Sequence, residues 1–344
     1  MDLSTDLGKI RLKNPLICAS SEATMTAEGI RAAIDAGAGA VIAKSVNESP
    51  EAARQLSKAE YVLLDENWNV LPWESPQRRE ASLFCRSGLA QTTLDQWLVM
   101  LAEADAYARE KGSIVAGSIT VAQAAPAAEI AAKMQSAGLR WIELNLSAPH
   151  GREASAVTQV TSADAVRDYV RQARAAITVP LAVKLTAQAD DPLRLARIAA
   201  EEGADMLVMT GRVQGFMPDI ETHEPILGSW GAIGGNWALP SSLYWVSKCW
   251  RNVSRDVPIV GTNGARSADD VVRFLLSGAR AVELASVVMT NGPQVFAEIL
   301  TQLERYCERK GVVRVGELVG KAADQALTYA ELPTMSTGIY PWAK

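Results

Sequence analysis

The stretch LAVKLTAQADDPLRLARIAAEEGADMLVMTG, residues 181–211, contains one complete copy of the unit that repeats along this chain. Leu181–Thr186 reads as a short strand apolar on both faces, 191–203 as an amphipathic helix, and Met206–Gly211 as the next strand. Pro180 stands at the strand entrance, where a missing N–H costs no ladder bond, and Glu202-Gly203-Ala204-Asp205 sets a glycine near the helix C-cap. Outward from this copy, further strands are expected at Leu16–Ser20, Ala40–Lys44, Ser113–Ile119, Trp141–Ser147, Pro258–Thr262 and Ala281–Ser286. Helical patterns lie near 26–37, 93–111, 126–138, 163–176, 240–253, 267–277 and 292–310. Eight β-then-α units with no strand left over predict an α/β fold of the closed (β/α)8 TIM barrel type, with 1–344 as one domain. A doubly wound sheet would need a Gly-rich fingerprint in the first βα turn, and none is there.

Three parts stand outside the repeat. Leu3–Leu12, around Gly8, alternates like an N-terminal hairpin that could plug the barrel floor. The insertion 45–92 is far longer than a usual βα loop and carries Trp68, Trp73 and Phe84, so it is expected to build or cover a site on the active face. Residues 312–344 extend past the last helix, either as a self-association segment or packed on their own barrel.

Composition narrows the classes of function. The 344 residues are 48% hydrophobic and 21% charged, ordinary for a globular protein with a large core. A net charge of -5 gives no electrostatic reason to expect nucleic acid or an anionic membrane surface. Without a membrane-length apolar run or the basic and apolar regions of a signal peptide at Met1–Asp6, a cytoplasmic protein is expected. Cys18, Cys85, Cys249 and Cys307 form no C-x-x-C pair, and His150 and His223 are the only histidines, so no metal or cluster site is expected. A cofactor would have to be held by backbone, hydroxyl and lysine groups.

In a barrel the chemistry belongs at the carboxyl ends of the strands. Lys44 and Lys184 lie inside otherwise apolar strands at that end, where a lysine is costly unless it meets an anion or an electron-rich ligand. Pairing with a buried carboxylate is the less favoured reading, and both lysines are expected to face an electron-rich ring. Gly261-Thr262-Asn263-Gly264 and Ala285-Ser286 follow the seventh and eighth strands, the usual phosphate position of such barrels. Gly231-Ala232-Ile233-Gly234-Gly235, in the long loop after the sixth strand, could approach the same ligand through its backbone.

These segments resemble, together and in order, the FMN-dependent dihydroorotate dehydrogenase family. The resemblance rests on Asn14–Ser20, Ala43-Lys44-Ser45, Glu143-Leu144-Asn145-Leu146-Ser147, Lys184-Leu185-Thr186, Gly231–Gly235 and Gly261–Gly264, and runs from about residue 3 to about 320. Within that family, Pro149-His150-Gly151 and Lys-Leu-Thr are most similar to the pyrimidine-reducing domain of dihydropyrimidine dehydrogenases. The resemblance implies FMN as cofactor, with Ala19 and Ser20 at the ring edge and Lys44, Asn145 and Lys184 bonding the ring or ribityl chain. Gly234, Gly261, Asn263, Gly264, Ala285 and Ser286 would surround the phosphate, and Ser45 would join them.

The substrate half departs from the family pattern. Where the family places a Cys or Ser as acid/base beside the fourth strand, this chain has Ala148, which transfers no proton. The positions matching amide-clamping asparagines are Cys85, His150 and Gly211, and only Asn145 keeps its amide. Each lost amide contact costs about 1–3 kcal/mol of pyrimidine recognition. Arg86 and Arg212 are new cations suited to a carboxylate, or else solvated loop arginines. Catalytic candidates are His150 and Cys85 for proton transfer, with Glu153 as a third, and Asn145 for orientation; His150 also reads as a group ordering its loop, and Cys85 as a buried filler.

The function expected is an FMN oxidoreductase moving a hydride between flavin and an activated C–C or C–N bond of a small, carboxylated substrate. Alternatives are a dihydroorotate or dihydropyrimidine dehydrogenase proper, a non-catalytic or electron-transfer flavoprotein subunit, and a barrel holding another phosphorylated ligand. With no cluster cysteines and no dinucleotide fingerprint, electrons are expected to leave to a soluble acceptor, oxygen or a reductase partner, and a homodimer is expected.

Overall fold

The protein is described by a computed structural model over residues 1–47, 59–90, 92–120, 122–148, 159–253 and 255–333. A hairpin, β1 (Thr5–Leu7) and β2 (Ile10–Leu12), comes first, turning through Gly8 at φ +69°. Eight parallel strands then close a barrel: β3 (Leu16–Cys18), β4 (Ala40–Ile42), β8 (Ile114–Thr120), β9 (Ile142–Asn145), β10 (Leu181–Leu185), β11 (Met206–Met209), β14 (Ile259–Thr262) and β15 (Ala279–Leu284). The (β/α)8 expectation holds, with every barrel strand inside or within two residues of its expected range.

Outer helices are α1 (Ala27–Asp35), α2 (Leu94–Glu110), α3 (Ala124–Ser136), α4 (Ala163–Ala176), α5 (Pro192–Glu201), α6 (Leu239–Asn252) and α7 (Ala268–Leu276). After the eighth strand come the short α8 (Ser286–Asn291) and the longer α9 (Val295–Lys310). Local chemistry starts them. The Ser162 side chain accepts the Ala165 N–H at the head of α4, and Asp191 accepts from Arg194 just before Pro192 opens α5. Each then buries one stripe, as α4 does with Val166, Val170 and Ala173.

Period-two alternation fills the barrel in layers. Ile17, Ile42, Ala116, Trp141, Ala182, Val208, Val260 and Ala281 form one apolar interior cluster with Leu7, Ile10 and Leu12 of the hairpin. The hairpin therefore plugs the floor, as expected. Leu7 is fully buried there. Leu7→Ala is expected to cost about 2–5 kcal/mol in a urea titration; a loss under about 1 kcal/mol would mean the plug packs loosely.

One expectation needs correction: strands are left over. The 45–92 insertion contains β5 (Glu60–Leu64), β6 (Val70–Leu71) and β7 (Ser82–Arg86) among its described residues. The segment after β11 adds β12 (Val213–Gly215) and β13 (Gly231–Gly234), so the glycine run is a strand rather than a loop. They form an antiparallel sheet in the order β12-β13-β7-β5-β6 beside the barrel mouth. Its central pairing, Ile233 opposite Phe84, joins residues far apart in sequence, which local periodicity cannot register. Beyond α9, the chain docks on its own barrel: Gly320 and Ala322 donate backbone N–H groups to Leu275 and Leu276, and Trp250 donates to Asp324. Residues 334–344 of the extension lie outside the described residues.

Candidate active site

The layer above the apolar cluster is polar, and the same alternation places it. Ser118 and Glu143 are register partners, as are Thr120 and Asn145, Asn145 and Lys184, and Thr262 and Glu283. Above them a cavity opens at the carboxyl ends of the strands. Of the expected cofactor residues, Ala19, Ser20, Lys44, Asn145, Lys184, Gly234, Asn263, Gly264, Ala285 and Ser286 line it. Arg212 lines it too, whereas Arg86 and Cys85 do not.

Ser45 and Gly261 are the two expected cofactor residues that do not line the cavity. The Ser45 hydroxyl sits behind the wall, between Ser20 Oγ at 3.1 Å and Ser118 Oγ at 2.8 Å. Gly261 is not among the lining residues, and a Cβ there would meet the Phe274 ring at 2.2 Å. Its missing side chain lets α7 approach the barrel, a packing role that the motif alone cannot reveal.

The lysines are the second correction: each meets a carboxylate. Lys44 Nζ lies 2.6 Å from Glu22 Oε1, which also accepts the Gly88 N–H. Burial pulls Lys44 below the usual lysine range against the charge of Glu22. Burial would raise Glu22, but the Lys44 charge and hydrogen bonds hold it below the usual carboxylate range. Lys184 Nζ lies 2.5 Å from Glu283 Oε2 and 3.8 Å from Glu143 Oε2. Burial opposes its charge, yet the two carboxylates keep its pKa above the ordinary value. Burial, assisted by Glu283 and opposed by Lys184, pushes Glu143 up to about 8. Carboxylate pairing, the less favoured reading, is thus present at both lysines, while both also line the cavity, because an ammonium buried this deeply needs a counter-charge even with a ligand beside it.

Glu22, Glu143 and Glu283 were not foreseen. A usable signal existed for two of them, since Glu143 and Glu283 interrupt apolar strands in phase with the inner face that carries Lys184.

On the substrate side the arginines separate. Arg86 is turned to the Leu227 carbonyl and to Glu60 at 2.5 Å. Arg212 reaches the cavity while Nη1 contacts Cys85 Sγ at 2.6 Å and Nη2 donates to Ser87 Oγ at 3.0 Å. Cys85 is fully buried in β7, and burial raises its thiol against the pull of Arg212. Its position favours the filler reading over acid/base work. Asn145 accepts the Ser147 N–H and hydroxyl through Oδ1, at 3.0 and 2.8 Å, which leaves its NH₂ end for a ligand. Ala148 is buried, and His150 and Glu153 lie outside the described residues.

Charge and backbone fit a flavin phosphate. Gly264, at φ +111°, and Ala265 line the cavity, and their N–H groups meet no acceptor among the described residues. A Cβ on Gly234 would press on the Arg212 and Asn263 side chains at 3.1 Å, so only a glycine leaves both side chains where they stand.

The sequence profile of the dihydroorotate dehydrogenase family matches residues 76–307. A catalytic subunit of dihydroorotate dehydrogenase B (NAD(+)) from Thermoplasma acidophilum is 28% identical over 93% of this chain and 99% of its own length. Its counterpart from Methanothermobacter thermautotrophicus is 29% identical over 94% and 99%. A third, from Caldicellulosiruptor saccharolyticus, is 32% identical over 55% and 62%. Among the described residues no helix is long and apolar enough to cross a membrane.

Proposed function

The chain belongs to the dihydroorotate dehydrogenase family, and from that membership we propose an FMN enzyme that acts on a small anionic substrate. The coarser class follows directly: it is an oxidoreductase of the type that acts on CH–CH bonds. The single observation that carries the finer reading is Arg212, a guanidinium lining the same cavity as Lys44, Lys184 and Asn145. When bound, FMN would supply the acceptor and donor of a hydride.

The chain's own groups divide the remaining work. The N–H groups of Gly264 and Ala265, with Ala285 and Ser286 at the head of α8, would hold the phosphate. Lys184 and the Asn145 amide would fix the ring edge, and their adjacent register makes that pair rigid. Arg212 would grip a substrate carboxylate through its fork, with Cys85 and Ser87 orienting the guanidinium. With alanine at 148, no side chain at that position moves a proton. His150 therefore stands as the proposed proton carrier in preference to the buried Cys85.

The relatives are named as catalytic subunits, so a partner subunit that takes the electrons onward is part of this reading. Their full-length similarity also favours a second reading, dihydroorotate dehydrogenase proper. One experiment separates them. The purified chain should be yellow, and its reduced flavin should be reoxidised by unsaturated carboxylic acids in an anaerobic cuvette. Rapid bleaching of the oxidised protein by dihydroorotate alone would favour the second reading. A colourless protein that gains no colour with added FMN would sink both.

A further inference from the structure

The cavity floor contains an arrangement that flavin binding alone does not require. Glu143 and Glu283 are fully or almost fully buried, and they share one ammonium, Lys184. One oxygen of each, Glu143 Oε2 and Glu283 Oε1, meets no hydrogen-bond donor among the described residues. Two ionised carboxylates against one cation would leave a net negative charge in a dry barrel, with two acceptors unsatisfied. A single proton between the carboxyls cures both defects: it balances the charge and supplies the missing donor. Burial, against the pull of Lys184 and with Glu283 beside it, favours the protonated form of Glu143.

The same pair is wired to the cavity at two points. Lys184 and Glu283 themselves line it. From the other oxygen, Glu143 Oε1, a file of hydroxyls leads out: Ser118 Oγ donates at 3.0 Å, Ser45 Oγ lies 2.8 Å beyond, and Ser20 Oγ lies 3.1 Å beyond that. Ser20 is half-buried and lines the cavity wall. Hydroxyls both donate and accept, so this file can pass a proton by turning each O–H in sequence.

We propose that Glu143 and Glu283 hold one proton between them, and that the Ser118–Ser45–Ser20 file connects this store to the cavity. The proton moves between the carboxyl pair and water at the cavity mouth; no electrons are exchanged by these groups. Its use is charge compensation. When a group bound beside Lys184 becomes more negative, an ionised pair is penalised, and a proton from solvent enters through the file. Glu143 thus acts as a positioning residue, setting how much of the Lys184 charge is available to the cavity. Other groups that face the pair are Arg212, which opposes the Lys184 charge, and Cys18, whose thiol is pushed up to about 12 by burial and then by Glu283. Neither thiol nor guanidinium releases a proton near neutrality. The store rests on the chain's own geometry, and only its coupling to a flavin depends on the reading above.

Infrared spectra of the purified full chain test the store with flavin removed. A buried carboxylic-acid band is expected near pH 6, shifting in D₂O and fading as pH rises through about 8. Glu143→Gln should abolish it. Glu283→Gln should abolish it too, because a lone Glu143 beside Lys184 ionises. An absent band in the wild type overturns the proposal. So does a band that survives Glu283→Gln, since burial alone would then explain the proton. Both variants keep size and shape, and an unchanged far-ultraviolet spectrum confirms that they fold. Ser118→Ala should keep the band and slow its exchange in D₂O, leaving only the route through Glu283 at the cavity wall; unchanged exchange overturns the file. In flavin-loaded protein, reduction at pH 8.5 should take up more protons in the wild type than in Glu143→Gln, by up to one. Equal uptake overturns the coupling, whereas a protein that binds no flavin but shows the band overturns only the flavin reading.

Discussion

Lys184→Met is expected to lower the unfolding free energy by about 3–5 kcal/mol near pH 8, and by much less near pH 5. The cause is the charge it leaves behind, since Glu143 and Glu283 then face each other in the barrel without a cation. In the wild type, burial already lifts Glu143 far above its ordinary 4.5, while the unfolded chain releases that proton near 4.5. Between those values the folded state binds more protons than the unfolded one, so stability falls as pH rises. For one such group the slope is about 1.4 kcal/mol per pH unit. Lys184 stays charged through this window, because the carboxylates hold its pKa above the usual lysine value. Removing it takes away the pull that opposes the rise of Glu143, so the falling limb should extend to higher pH than in the wild type. Urea titrations at pH 5, 6.5 and 8 read this directly. A defect independent of pH would show that lost packing, not lost charge, is what the substitution removes. Flavin content should fall in parallel, since the variant takes away the buried cation that is the register partner of Asn145.

How much of this was legible in sequence differs from layer to layer. The barrel was, because each βα unit announces itself within about thirty residues through local period, proline entrances and glycine exits. The hairpin plug was legible for the same reason. The antiparallel sheet was not, since Val213–Gly215 and Gly231–Gly234 become strands only by pairing with one another and with Ser82–Arg86. In the cavity, strand-end logic found the lysines but not their partners. Glu283 is separated from Lys184 by 99 residues, and only barrel closure brings the two side chains together. Gly261 shows the opposite error. A glycine beside a phosphate-type turn was read as a ligand contact, while its lack of a side chain is used on the outer face against Phe274. Arg86 and Arg212 looked equivalent as new cations; Glu60 and the Leu227 carbonyl take the first out of the site, and the second keeps a line to the cavity.

That separation makes Arg212 the substitution with the largest expected effect on recognition. Arg212→Ala should lower kcat/KM for a carboxylated substrate by at least about 2 kcal/mol, roughly thirtyfold, because a charge would then be desolvated without its partner. A carboxamide analogue of the same substrate gains nothing from the fork, and its already poor turnover should hardly change. Arg212→Lys should fall between, keeping the charge but losing the two-pronged geometry. The contrast matters because Arg212 also touches Cys85 and Ser87. If the arginine only braces β7, both substrates would suffer equally, and lysine would rescue neither. Alkylation of Cys85 gives an independent reading of that brace. Burial raises its pKa and the guanidinium opposes the rise, so removing Arg212 lifts the thiol further. The thiol should then react more slowly if its access is unchanged. Slower alkylation together with selective loss of the anionic substrate assigns Arg212 both roles. Slower alkylation with equal loss for both substrates would leave it a structural residue at the edge of the cavity.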